Sequence, residues 1–296
     1  MDANNMILNR FFSKNTFSDL INYNRNTVYF TTIKRYLNAV ESEYNKNLIS
    51  EIYGIMTKKY RNEYFYKNTL FNKLLIVRHS LKTTTALSEV LINKSKADLV
   101  LINGKAVVYE IKTELDNLDR LDNQLNNYYK AFNNVCVVTC ESNYDRIQSL
   151  LSGTTVGICI LTNNNAISTR QAPVTNNSKL EYSTMFKILR KSEFENIILN
   201  FYHELPITNQ VNYYSECFKM FQSIQMDKVY QCMLKELKKR NVIEIDEYKS
   251  RVPYELRFLI YFSKYKRDDY LKLSKFLDNE IGGEANVFSI FEGKTI

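Results

Sequence analysis

Residues 96–113 read K-A-D-L-V-L-I-N-G-K-A-V-V-Y-E-I-K-T, and no other stretch constrains the fold as tightly. Asn103-Gly104 sits between two alternating apolar runs. That dipeptide supplies the positive φ angles of a tight turn, so the pattern predicts a β-hairpin. Side chains change face at every residue of a strand, which puts Glu110 and Lys112 on one face of the second strand and Val107, Tyr109 and Ile111 on the other. Asp98, near the start of the first strand, comes beside Glu110. Two carboxylates and an ammonium then converge among Leu, Val and Ile side chains, where an unpaired charge is costly. A hard divalent cation, which takes carboxylate oxygens, would offset that cost. An Asp, a Glu and a neighbouring Lys are also the parts of metal-assisted attack on a phosphodiester.

The spacing D-x(11)-E-x-K on a predicted hairpin resembles the active-site signature of the PD-(D/E)XK nuclease superfamily. The likeness continues into residues 113–132, which look like the helix that follows the E-x-K strand, with Gln124 and a Tyr inside it; it comes nearest to resolvase-like, prophage-associated branches. It extends over about residues 60–161, and Ala97 stands where the name-giving Pro would be. The resemblance implies an α/β (α+β) fold with a restriction-endonuclease-like core, a mixed sheet flanked by helices. It also implies a Mg²⁺ or Mn²⁺ cofactor held by Asp98 and Glu110, with the main-chain carbonyl of Ile111 as a further ligand. Lys112 would position or help deprotonate the attacking water, and Gln124 would orient phosphate or water. A further carboxylate is expected at the site. Glu63 matches by position on the helix before the sheet, and Glu89, an acidic residue in an apolar strand, asks for a partner. The sequence leaves both open.

Composition narrows the class. The 296 residues are 45% hydrophobic and 24% charged, enough to bury the core of one large globular domain or two modest ones. Cys136, Cys140, Cys159, Cys217 and Cys232 form no C-x-x-C pair, and only His79 and His203 could join them, which speaks against zinc and for reduced core thiols. The N-terminus shows no apolar signal segment, and no run approaches the roughly 20 apolar residues of a membrane helix. The expectation is a cytoplasmic protein with no membrane partner. Residues 1–96 carry 15 Lys and Arg against 7 Asp and Glu, residues 97–168 carry 5 against 8, and residues 169–296 carry 20 against 17. An acidic centre between basic flanks suits a cation-dependent site acting on a polyanion, so nucleic acid is the expected partner; the resemblance to the nuclease superfamily puts DNA ahead of RNA.

Helical spacing of Phe11-Phe12, Tyr29-Phe30, Ile33, Tyr36-Leu37 and Val40 predicts an N-terminal helical region over residues 1–59. A nuclease-like core is expected over 60–162: helix 60–77, strand 83–92, the hairpin, helix 113–132, strand 135–139, helix 144–151 and strand 155–161. Strand, helix, strand with short loops implies parallel pairing within a mixed sheet. The polar stretch 163–180 reads as a linker, and 181–296 as a C-terminal helical region through which a protein partner or a second copy would dock. Lys34, Arg35 and Tyr36, and Lys58, Lys59, Tyr60 and Arg61, interleave aromatic and basic residues that could bind a nucleic-acid strand by stacking and phosphate contact, although core aromatics with solvated lysines between them are the commoner meaning. Lys235, Lys238, Lys239 and Arg240 could dock a phosphate backbone, although a solvated helix end is the commoner meaning. Gly293-Lys294-Thr295 lacks the strand and glycine that a phosphate loop needs upstream.

The expected function is a metal-dependent nuclease hydrolysing phosphodiester bonds in phage or mobile-element biology. The alternative is a non-catalytic nucleic-acid-binding or interaction protein on the same fold, its hairpin carboxylates structural. The trio of Asp98, Glu110 and Lys112 is complete, which favours catalysis.

Overall fold

The computed structural model of this chain describes residues 5–37, 43–240 and 243–281; Val40 and Gly293-Lys294-Thr295 lie outside the described residues. Five helices come first: α1 (Met6–Phe11), α2 (Lys14–Ile21), α3 (Thr27–Tyr36), α4 (Asn45–Lys59) and α5 (Glu63–Leu70), the last running into a wider π-helical coil, Phe71–Arg78. Then follow β1 (Thr85–Ile92), β2 (Ser95–Asn103), β3 (Lys105–Ile111), α6 (Leu121–Tyr129), β4 (Val135–Thr139), α7 (Tyr144–Leu150), β5 (Gly157–Leu161) and β6 (Ile167–Gln171). The remaining helices are α8 (Tyr182–Ile188), α9 (Lys191–Tyr202), α10 (Tyr213–Gln222), α11 (Met226–Lys238), α12 (Ile245–Arg251), α13 (Arg257–Tyr261) and α14 (Arg267–Asp278). The described residues divide into two compact units, 5–72 with 243–281, and 73–240.

The first unit is helical, as the spacing of its aromatics predicts. Phe11 stacks on Tyr29 with ring centroids 5.3 Å apart. The Tyr29 hydroxyl donates to Asn45 Oδ1 at 2.6 Å, and Asn45 Nδ2 donates to the carbonyls of Phe276 and Asn279, each at 2.9 Å. Asn45 is fully buried, so these bonds are what make its polar amide tolerable there, and they tie the end of α14 to the N-terminal helices. Helices α12 to α14 therefore belong with α1 to α5, and the expected 181–296 region is split between the units.

The second unit is built on a six-stranded mixed sheet in the order β1-β2-β3-β4-β5-β6. Strands β1, β2 and β3 form an antiparallel meander, β3, β4 and β5 run parallel, and β6 returns antiparallel on β5. The hairpin closes at Asn103↔Lys105 around Gly104, whose φ of +72° only glycine adopts without strain. Strand β6 lies within the stretch expected as a linker. Its residues, Ile-Ser-Thr-Arg-Gln, show no apolar alternation, because an edge strand can pair through main chain alone. The chain after it folds back so closely that a Cβ on Gly157 would stand 2.7 Å from Pro173 Cδ.

Helix α6 is shorter than expected. Asp116 Oδ2 accepts from Thr113 N at 2.8 Å and from Thr113 Oγ1 at 2.6 Å, which turns the chain after β3 before the helix begins. Helices α8 to α11 complete the core of this unit. Met185, Phe186, Ile198, Val229 and Met233 share one buried cluster with Val100, Val108, Val137 and Ile158 of the sheet. No helix among the described residues is long and apolar enough to cross a membrane.

Candidate functional site

Asp98 sits where the ladders on both sides of β2 are interrupted. The β2–β3 ladder ends at Leu99↔Tyr109, and beyond it the amide of Ile111 donates to Asp98 Oδ2 at 2.8 Å. On the other side the β1–β2 ladder passes from Ser88↔Leu99 to Val90↔Ala97, leaving out the pair of Glu89 with Asp98. Glu89 takes a left-handed φ of +56°, which costs an L-residue roughly 1–2 kcal/mol. A carboxylate oxygen of Glu89 lies within 4.8 Å of one on Asp98, and Lys96 Nζ is 3.4 Å from Glu89 Oε2. Like charges facing each other across strands are unfavourable, so the strained Glu89 backbone supports a pairing that an ordinary sheet avoids.

One step along β3 the surroundings close. Glu110 is 2% exposed and Lys112 7%. Lys112 Nζ lies 2.8 Å from Glu110 Oε1 and donates to Gln124 Oε1 at 2.8 Å. Gln124 Nε2 donates to Glu110 Oε1 at 2.6 Å, and the Tyr128 hydroxyl lies 2.6 Å from Glu110 Oε2 and 2.9 Å from the carbonyl of Lys96. Both oxygens of Glu110 are thus partnered, the condition under which a buried charge pair is tolerated. Burial, followed by the charge of Glu110, raises the Tyr128 phenol far above its ordinary range and keeps it a donor. The Lys112 main chain is anchored on β4, its N–H donating to Val138 O and its carbonyl accepting from Thr139 Oγ1, each at 2.8 Å.

Local sequence explains the placement. Gln124 and Tyr128, four apart, share one face of α6, while Leu121 and Leu125 bury beside them. The structure therefore brings together Asp98, Glu110, Lys112, Gln124 and Glu89, and Ile111 takes part through its amide. Glu63 opens α5 in the first unit, where it lies 2.5 Å from Lys67 Nζ. Sequence reasoning missed Tyr128 and Thr139 as polar partners. The spacing of four between Gln124 and Tyr128 was the available signal; Thr139 had none.

Two of the basic clusters are partly committed elsewhere. The Arg61 guanidinium lies over the Phe65 ring at 5.0 Å. Arg240 Nε donates to Glu193 Oε1 at 2.7 Å, and Lys239 Nζ to Glu236 Oε1 at 2.5 Å. All five cysteines are free thiols, and Cys136 and Cys159 place their sulfurs 3.4 Å apart in the core.

Fold and site together define an α/β protein with a six-stranded mixed sheet that carries a hydrogen-bonded charged site on its hairpin. The model of the family described as Bacteriophage P4 protein cII matches residues 56–253, and the chain belongs to that family. Protein cII of Enterobacteria phage P4 is 26% identical over 161 residues, which cover 53% of this chain and 59% of that protein. The chain thus spans less than two thirds of the relative's length. Among solved structures, the SPO1766 protein of unknown function from Silicibacter pomeroyi is similar over 43% of this chain and 87% of its own, at 12% identity and a TM-score of 0.27.

Proposed function

We propose that the chain is a divalent-metal-dependent nuclease of the PD-(D/E)XK kind, hydrolysing phosphodiester bonds of DNA in phage or mobile-element biology. The observation that carries this reading is the interruption of both ladders at Asp98, which sets the Asp98 and Glu89 carboxylates within 4.8 Å of each other beside the Glu110–Lys112 pair. The donor set fits Mg²⁺ or Mn²⁺, because close carboxylate oxygens suit hard cations and repel each other without one. Asp98 and Glu89 would hold the ion, with Glu110 and the Ile111 main chain next to them. When bound, it supplies charge neutralisation at the phosphate and a lowered pKa for water. Lys112, aimed by Glu110 and Gln124, stabilises negative charge that develops on the phosphate. Phage biology is supported by the family, and a restriction-endonuclease-like core by the antiparallel hairpin joined to parallel β3, β4 and β5.

A second reading has its own support. Glu110 has both oxygens partnered within the protein, as a structural ion pair would. On that reading the chain binds nucleic acid or a protein without cutting. The deciding experiment incubates the full chain with labelled DNA and RNA in Mn²⁺, in Mg²⁺ and in EDTA, beside Asp98→Asn and Glu89→Gln. The nuclease reading expects cleavage that EDTA and both substitutions abolish. No cleavage in either metal, or cleavage unaffected by Asp98→Asn, overturns it.

A further inference from the structure

An open cleft of about 650 Å³ lies between the β1–β2 turn and α6, bounded by Lys94 on the turn, Lys96 at the start of β2, and Arg120, Asn123, Gln124 and Asn127 on the helix side. Among the described residues, no acidic side chain lines it. We propose that this cleft holds the sugar–phosphate backbone of the nucleic-acid strand next to the carboxylate pair. The assignment deepens the nuclease reading and rests on it for the position of the bond that is cut.

The cleft is built rather than incidental. Asn93 takes a left-handed φ of +55° at the turn, and its Nδ2 donates to Asn127 Oδ1 at 3.0 Å, while Asn127 Nδ2 donates to Ser95 Oγ at 2.8 Å. One helix side chain therefore pins both ends of the turn that presents Lys94. Lys94 and Arg120 are exposed, and their side chains enter no hydrogen bond or ion pair among the described residues. Unlike Arg240, they are uncommitted cations. An arginine fork takes a phosphate by two parallel hydrogen bonds and a lysine takes it as a point charge, so a polyanion suits the pair. Amide side chains at Asn123 and Gln124 add neutral donors and acceptors for sugar or base edges.

Continuity with the charged site gives the cleft its place in the reaction. Gln124 forms part of its wall and also bonds Glu110 and Lys112. Lys96 forms part of the opposite wall and lies 3.4 Å from Glu89, itself beside Asp98. A backbone phosphate held between Lys94 and Arg120 would therefore leave its neighbour over the carboxylates.

The test is fluorescence anisotropy of a labelled 20-nucleotide single-stranded DNA with the full chain in EDTA, where no cutting complicates binding, across a salt series. Removing both cations by Lys94→Ala/Arg120→Ala is expected to weaken binding about tenfold or more. It should also make the slope of log affinity against log salt shallower by about 1.4, the contribution of two single-strand phosphate contacts. Both residues are exposed, and equal far-UV circular dichroism of variant and wild type confirms that folding is intact. Affinity and slope unchanged from wild type overturn the proposal, including where wild type still cuts DNA in Mn²⁺. Cleft-dependent binding without cleavage by wild type in any metal sinks the nuclease reading and leaves the cleft standing.

Discussion

Gln124 Nε2 donates to Glu110 Oε1 at 2.6 Å, reaching from α6 to β3. Its amide oxygen accepts from Lys112 Nζ at 2.8 Å, so one neutral side chain spans both members of a buried ion pair and fixes the direction of the ammonium. The pair is consequently both a stability element and a poised charge, and substitutions can separate the two roles.

Lys112→Ala strips the cation from a carboxylate that is 2% exposed. The expected loss in a denaturant melt is roughly 3–5 kcal/mol, the usual consequence of leaving one buried charge unpaired. The double variant Glu110→Gln/Lys112→Met, which removes both charges, is expected to recover most of it. On the nuclease reading, cleavage falls by about 10² or more in each. A Lys112→Ala protein within about 1 kcal/mol of wild type would contradict the burial of the pair.

Asp98→Asn keeps an oxygen that can accept from Ile111 N and removes one of two facing carboxylates. Without metal, the variant is expected to melt within roughly 1 kcal/mol of wild type. Excess Mg²⁺ should stabilise wild type and not the variant, because only a state that binds the ion gains by mass action. Equal Mg²⁺ shifts in the two proteins would remove Asp98 from the metal set.

Glu89→Gly replaces a side chain held at a φ of +56° by the one residue that tolerates it. Relief of that strain is expected to raise stability by about 1 kcal/mol, with loss of cleavage under the nuclease reading. A stabilised yet fully active Glu89→Gly protein would exclude this carboxylate from the reaction.

Tyr128→Phe deletes the hydroxyl 2.6 Å from Glu110 Oε2, at an expected cost of roughly 1.5–3 kcal/mol for a bond to a charged group. Because burial raises the phenol in the folded state, the unfolded chain loses that proton first. The associated stability is full below about pH 10 and declines as pH rises beyond it. In melts at increasing alkaline pH, the variant should lose stability less steeply than wild type, by about 1.4 kcal/mol per pH unit. Parallel slopes would show that Tyr128 ionises as readily folded as unfolded.

Alternation and an Asn-Gly turn made the hairpin legible, since strand faces follow from a period of two and a glycine-dependent turn is a local property. Glu110 and Lys112 on a shared face, Gln124 at the edge of a helix face and the parallel pair β4 and β5 follow from the same local rules. Strand β6 was hidden because an edge strand of polar residues leaves no apolar period to read. The partition of the C-terminal helices was hidden too. Amphipathic spacing says that α8 and α14 each have a buried face, and only packing decides that one joins the sheet and the other joins Asn45. The sequence by itself therefore determined which residues lie on which face of each element. The tertiary structure alone decided that Tyr128 closes on Glu110 and that Glu89 turns left-handed beside Asp98, because such contacts depend on how separate elements cross and where their ladders yield, and no local periodicity encodes either.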